Sequence, residues 1–180
     1  RMECVMSDLS DLIGGGGGGF SAFREVTLIS GPTDISGTSS IEFTGLTSAY
    51  DVHVLVFTDI VAGNSNPSLT YSANGGSSYP YGFASSRGYR AYLPDNQSWQ
   101  TGSDTGIRNY VASNQVTGET WINNIGIAGG VNGRTTYLSF NGQTGFQVGN
   151  SNNGTNVINA IKFAPGSATR GLVSLYGVNM

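Results

Sequence analysis

Residues 50–62 read Tyr-Asp-Val-His-Val-Leu-Val-Phe-Thr-Asp-Ile-Val-Ala, and this stretch decides the fold. In an extended chain, successive side chains point to opposite faces. Val52, Val54 and Val56 then share one face, and His53, Leu55 and Phe57 share the other. A strand that is mostly apolar on both sides predicts a central position with cover on each face.

Working outward, the same period of two recurs. Val26 and Leu28 alternate with Thr27 and Ile29, and Ile41 and Phe43 flank Glu42. Leu69 to Ala73 predicts another strand, ended by Asn74-Gly75-Gly76, a strong hairpin signal. Residues 79–106 are less regular, carry Pro80 and Pro94, and read as a long excursion holding two short strands. Further strands are predicted over 107–112, 119–127, 135–140, 144–149, 156–163 and 170–178. The gaps between them hold Gly129-Gly130, Asn132-Gly133, Asn141-Gly142 and Asn153-Gly154. Short strands with such turns predict an all-β, antiparallel sandwich, jelly-roll-like in its wrapping. The strand order is not legible from this pattern.

Only residues 1–13 have a helical period. Met2, Val5, Met6, Leu9, Leu12 and Ile13 recur at spacings of three and four, with Ser7, Asp8, Ser10 and Asp11 opposite. About three turns of helix are marginal alone in water, so this segment needs a surface to dock on. Gly14 to Gly19 follow as a tether that spans roughly 20 Å when extended. The expected organisation is an anchoring helix (1–13), a polyglycine linker (14–19) and a β-sandwich head (20–180).

Composition narrows the function. Charged residues are 11% of the 180, against about 25% in a typical chain. With 28 glycines, this suits a turn-rich β-protein hydrated by hydroxyls and amides. Net charge is −3, Lys162 is the one lysine and the arginines are scattered, so no basic stripe exists for nucleic acid. A single cysteine, Cys4, excludes an intrachain disulfide and cysteine-based zinc sites. No apolar stretch reaches about 18 residues, so no membrane insertion is expected. No signal-peptide pattern is visible, and Arg1 in place of Met reads as a processed or trimmed product. No cofactor is expected.

Candidate chemistry is sparse. His53, the one histidine, has Asp51 two residues away on the same strand face. The histidine is either a base oriented by that carboxylate or a strand histidine at a half-buried face or a subunit interface. No Gly-x-Ser-x-Gly elbow accompanies it, which favours the second. Asp95 and Asp104, with Trp99 between them, are the least unsuitable carboxylate pair for glycan hydrolysis, and their reading as ordinary turn residues, which bridge turns locally, is favoured. No Asp-x-Asp-x-Asp-Gly loop supports calcium. The expectation is no catalytic and no metal-ligating residue. Tyr79, Tyr81, Arg87, Tyr89, Arg90, Tyr92 and Trp99 cluster in the irregular stretch. Aromatics with arginines and amides serve subunit contact, core packing or sugar recognition. These seven form a candidate ligand or subunit interface. Val5, Met6, Leu9, Leu12 and Ile13 form the candidate anchor.

Two stretches carry a resemblance. Ser40-Ile41-Glu42-Phe43-Thr44-Gly45-Leu46 followed by Ala49-Tyr50-Asp51-Val52-His53-Val54 is one, and Leu69-Thr70-Tyr71-Ser72-Ala73-Asn74-Gly75-Gly76-Ser77-Ser78-Tyr79 is the other. Together they resemble a phrase of virion structural and tail-fibre-like proteins of tailed bacteriophages, as does the ending Val173-Ser174-Leu175-Tyr176-Gly177-Val178. His53 stands where an aromatic is usual and Asn74 where Asp is usual. The resemblance covers about residues 25–178 and leaves 1–24 outside. It implies a virion surface role, often as a homotrimer, and no catalytic residues. The expectation is therefore a non-enzymatic surface appendage of the virion, a tail-fibre head or a capsid decoration. Its N-terminal segment would attach it to other virion proteins, and it would bind host-surface glycan at most. A lectin-like carbohydrate-binding module is the alternative, and a glycan hydrolase the third reading.

Overall fold

A computed structural model describes residues 25–61, 67–82, 85–91, 97–101, 115–139, 144–150, 155–166 and 168–180 of the chain. These residues build eleven strands: β1 (Glu25–Asp34), β2 (Ile41–Phe43), β3 (Val52–Val61), β4 (Ser68–Ser72), β5 (Ser85–Ala91), β6 (Gln97–Thr101), β7 (Gln115–Asn123), β8 (Asn132–Ser139), β9 (Thr144–Asn150), β10 (Ala160–Ala164) and β11 (Arg170–Asn179). All the pairings are antiparallel, and no helix occurs among the described residues. The strands form an eight-stranded sheet, β1-β11-β3-β7-β8-β9-β5-β6, and a three-stranded sheet, β2-β10-β4.

β3 lies inside the larger sheet, between β11 and β7, as its two apolar faces predict. Leu55 and Phe57 point into the core, where they meet the inner face of the small sheet. That inner face is built from two registered rows, Phe43–Ile161–Tyr71 and Ile41–Phe163–Leu69. Phe57 and Phe163 stack at 5.7 Å across the gap between the sheets. Val116, Ile122, Val173 and Leu175 extend the core along β7 and β11, and Ile35, Ile125 and Ile158 close it from the loops. The architecture is thus sandwich-like, with unequal layers.

Room for this core depends on missing side chains. A Cβ on Gly118 of β7 would stand 2.7 Å from the Phe57 ring and 2.3 Å from the Thr136 carbonyl oxygen. A Cβ on Gly126, which has φ +76, would stand 2.1 Å from the Ser48 backbone nitrogen. The buried hydroxyls of Thr120 and Thr135 satisfy each other at 2.9 Å across β7 and β8.

Several boundaries move relative to the sequence expectation. The strand expected over 119–127 is centred four residues earlier, because Asn124 takes φ 68 and Gly126 turns the chain. β10 begins at Ala160, later than the expected 156. Asn74-Gly75-Gly76 does not close a two-residue hairpin. The Asn74 side chain accepts from Ser72 Oγ at 2.6 Å and from the Ser78 N–H at 3.0 Å, which folds 73–80 into a closed loop ending in a bridge between Tyr71 and Tyr81. Such side-chain competition with the backbone is usual for Asn. The expected helix 1–13, the linker 14–19 and the strand 107–112 lie outside the described residues.

Candidate interaction surfaces

The outer face of the large sheet is the least expected surface. Register aligns Leu28, Tyr176, Val54, Trp121, Arg134 and Val148 in one row across six strands. A neighbouring row begins Val26, Val178, Val52. Val52, Val54 and Val178 are buried, with Val56, Trp121 and Tyr176 packed on them, forming a second cluster apart from the core. Around it, Val26 is 60% exposed, Leu28 49%, Leu172 45% and Leu138 55%. A polar outer face is the norm for an antiparallel sheet with one side on the core. This one is instead apolar over β1, β11 and β3.

Trp121 marks the boundary of that patch. Its Nε1–H donates to Glu119 Oε1 at 2.7 Å, and Thr136 Oγ1 donates to the same oxygen at 3.5 Å. The Arg134 guanidinium stands 5.6 Å from the indole centroid. Glu119 is therefore committed to holding an indole edge, and Arg134 covers the ring. The neighbouring row, Val26–Val178–Val52, turns polar at β7, with Val52 paired to Asn123, Asn123 to Asn132 and Asn132 to Asn150.

A second surface lies on the outside of the small sheet. Lys162 of β10 reaches Glu42 of β2 at 3.0 Å and stands 5.3 Å from the Tyr79 ring centroid. The Tyr79 hydroxyl is buried beside Glu42, and burial first, then the nearby Glu42 carboxylate, pushes its ionisation up to about 12. Tyr81 packs against the core, and its hydroxyl accepts from Asn156 Nδ2 at 2.9 Å. Both tyrosines thus brace the 73–80 loop.

The described residues of the expected aromatic interface are divided between two sheets. Tyr79 and Tyr81 flank β4 of the small sheet, whereas Arg87, Tyr89 and Arg90 lie on β5 and Trp99 on β6, at the far edge of the large sheet. In that hairpin Gly88 registers with Trp99 and Tyr89 with Ser98. Tyr92 lies outside the described residues, as do Asp95, Asp104 and the anchor residues Val5, Met6, Leu9, Leu12 and Ile13. The outer-face patch was missed as a site. Its signal was present in the alternation Val52, Val54, Val56, in Glu119 and Trp121 two apart, and in the even positions of 172–178.

His53 and Asp51 do not make a catalytic pair. The Asp51 carboxylate is exposed and accepts the Met180 N–H at 2.8 Å. His53 is 1% exposed, opposite Gly177 of β11, with the edge of Tyr50 against it at 5.8 Å. Its Nδ1 has no hydrogen-bond partner, and burial lowers its pKa to about 4. A base must reach a substrate, and this ring is sealed in the core. No cluster of three or more His, Cys, Asp or Glu residues that could hold a metal ion is found among the described residues. No described helix is long and apolar enough to cross a membrane. Comparison with protein families, with curated proteins and with solved structures returned no match.

Proposed function

We propose that the chain is a non-enzymatic surface component of a bacteriophage virion, a tail-fibre head or capsid decoration with a jelly-roll-like head. In this reading the head works as a homotrimer. Its N-terminal segment attaches it to other virion proteins, and the exposed head meets the host surface. The phrase around Tyr50-Asp51-Val52 and the ending Leu175-Tyr176-Gly177-Val178 motivate the virion assignment.

The observation that carries the reading is the apolar outer face, where Val26 and Leu28 stand exposed beside the buried cluster of Val52, Val54 and Val178. Soluble monomers rarely leave such contiguous apolar patches uncovered, and larger ones mark interaction surfaces. In a chain with 11% charged residues, that patch points to assembly rather than turnover. A lectin-like role would need an open aromatic platform, and the described candidates Tyr79 and Trp121 each carry a cation over the ring. The test is localisation on intact particles by cryo-electron microscopy with an antibody to the head, combined with deletion of residues 1–19. A folded head that is absent from particles after the deletion is the expected result. Incorporation at normal copy number would refute attachment through the N-terminus, and absence of the protein from purified particles would refute the virion role.

A further inference from the structure

We propose that, in the unassembled protein, the apolar outer face of the large sheet is the docking surface for the chain's own N-terminal segment, through Val5, Met6, Leu9, Leu12 and Ile13. The inference rests on reading that segment as the attachment element, and adds where it resides before attachment. Assembly then exchanges one apolar partner for another, and neither the stripe nor the sheet face is left in water beforehand.

Three observations lead to the occupant. The first is where the described chain begins. Glu25 opens β1 at the edge of the large sheet, and Val26 and Leu28 start the two apolar rows of the outer face. The described chain therefore begins at the margin of the patch itself. Reach is the second. Residues 14–24 extend to about 36 Å, several times the separation needed to cross the patch. Six of these eleven residues are glycine.

The third observation is size. From β1 to β7 the apolar face spans three strand spacings, about 14 Å, and from Val52 to Val56 it runs about 14 Å along β3, with Val52, Val54 and Val178 buried within it and Val26 and Leu28 exposed at its margin. A helical stripe from Val5 to Ile13 is about 12 Å long. A partner of this length covers the patch and ends before the Asn123–Asn132–Asn150 pairing, where the face turns polar. Tethering gives the segment a high effective concentration at its own face, which favours this face over that of another molecule at ordinary protein concentrations. An uncovered apolar face on an edge strand would otherwise be an association hazard.

Cys4 makes the test direct, because it is the one cysteine in the chain. A nitroxide placed there on full-length protein should broaden the methyl signals of Val26, Leu28, Val54 and Val178, and leave those of Phe43-side core methyls such as Ile161 sharp. The broadening should vanish in Leu9→Asp/Ile13→Asp and also in Val26→Lys, a change at a 60% exposed position that leaves the core untouched. Full-length protein with sharp outer-face methyls would overturn the inference. So would broadening that appears only when labelled protein is mixed with excess isotope-labelled, spin-free chains, since the occupant would then belong to another copy. Either result leaves the virion reading standing if deletion of residues 1–19 still removes the head from particles.

Discussion

Acid should weaken this fold through His53 in particular. The ring is 1% exposed, Tyr50 lies edge-on against it and its Nδ1 has no partner, so protonation inside the fold is disfavoured. Its pKa falls from the ordinary 6.5 to about 4 because burial penalises the charged form. The unfolded chain takes up a proton below pH 6.5, and the folded chain does so only near pH 4. Between those values the unfolded state binds more protons, so stability falls as pH falls, by up to about 1.4 kcal/mol per pH unit. This loss amounts to about 2 kcal/mol by pH 5 and levels off at about 3 kcal/mol below pH 4. The perturbation is His53→Leu, which removes the titration and keeps an apolar side chain in the site. Carboxylates titrate in both proteins, so the difference between wild type and variant isolates the histidine. Urea unfolding followed by tryptophan fluorescence at pH 7.5, 6, 5 and 4.5 reads it. At a slope of about 1–3 kcal/mol per molar urea, the wild-type midpoint should drop by about 1 M relative to the variant between pH 7.5 and 5. Parallel midpoints across that range would refute the burial argument.

Phe57→Ala should cost about 3–5 kcal/mol, since it empties the site that stacks on Phe163 between the two sheets; chemical denaturation of the head measures it. Gly126→Ala should destabilise by about 1–3 kcal/mol or abolish soluble expression, because the new methyl meets Ser48 backbone and the residue sits at φ +76; thermal melting compared with Gly129→Ala, which meets nothing within 4 Å but shares the positive φ, separates the clash from the dihedral. Removing the exposed ion pair through Arg170→Ala, which leaves Asp59 in place at φ 56, should change stability by no more than about 1 kcal/mol, and the effect should shrink in high salt.

The class of fold was legible in residues 50–62 because a strand's two faces are written in alternate positions, and β3 needed cover on both. β1, β2, β4, β9 and β11 were placed by the same period. The sequence also showed that Lys162 is the one lysine and that no basic stripe exists, which follows from residue types alone. Tertiary structure decided what sits beside what. Nothing local says that β3 pairs with β11 and β7, or that β10 joins the small sheet between β2 and β4, since pairing is set by long-range packing. The Asn74 contacts with Ser72 and Ser78 are local, whereas the hydrogen bond from the Gly75 N–H to Asn159 Oδ1 joins positions that only the fold brings together. His53 and Asp51 share a strand face by number, yet a single turn at the sheet's end leaves Asp51 in solvent and His53 in the core. The outer patch is the clearest case. Val54, Trp121, Tyr176 and Leu28 are scattered over 149 positions of sequence, and only strand register places them in one row.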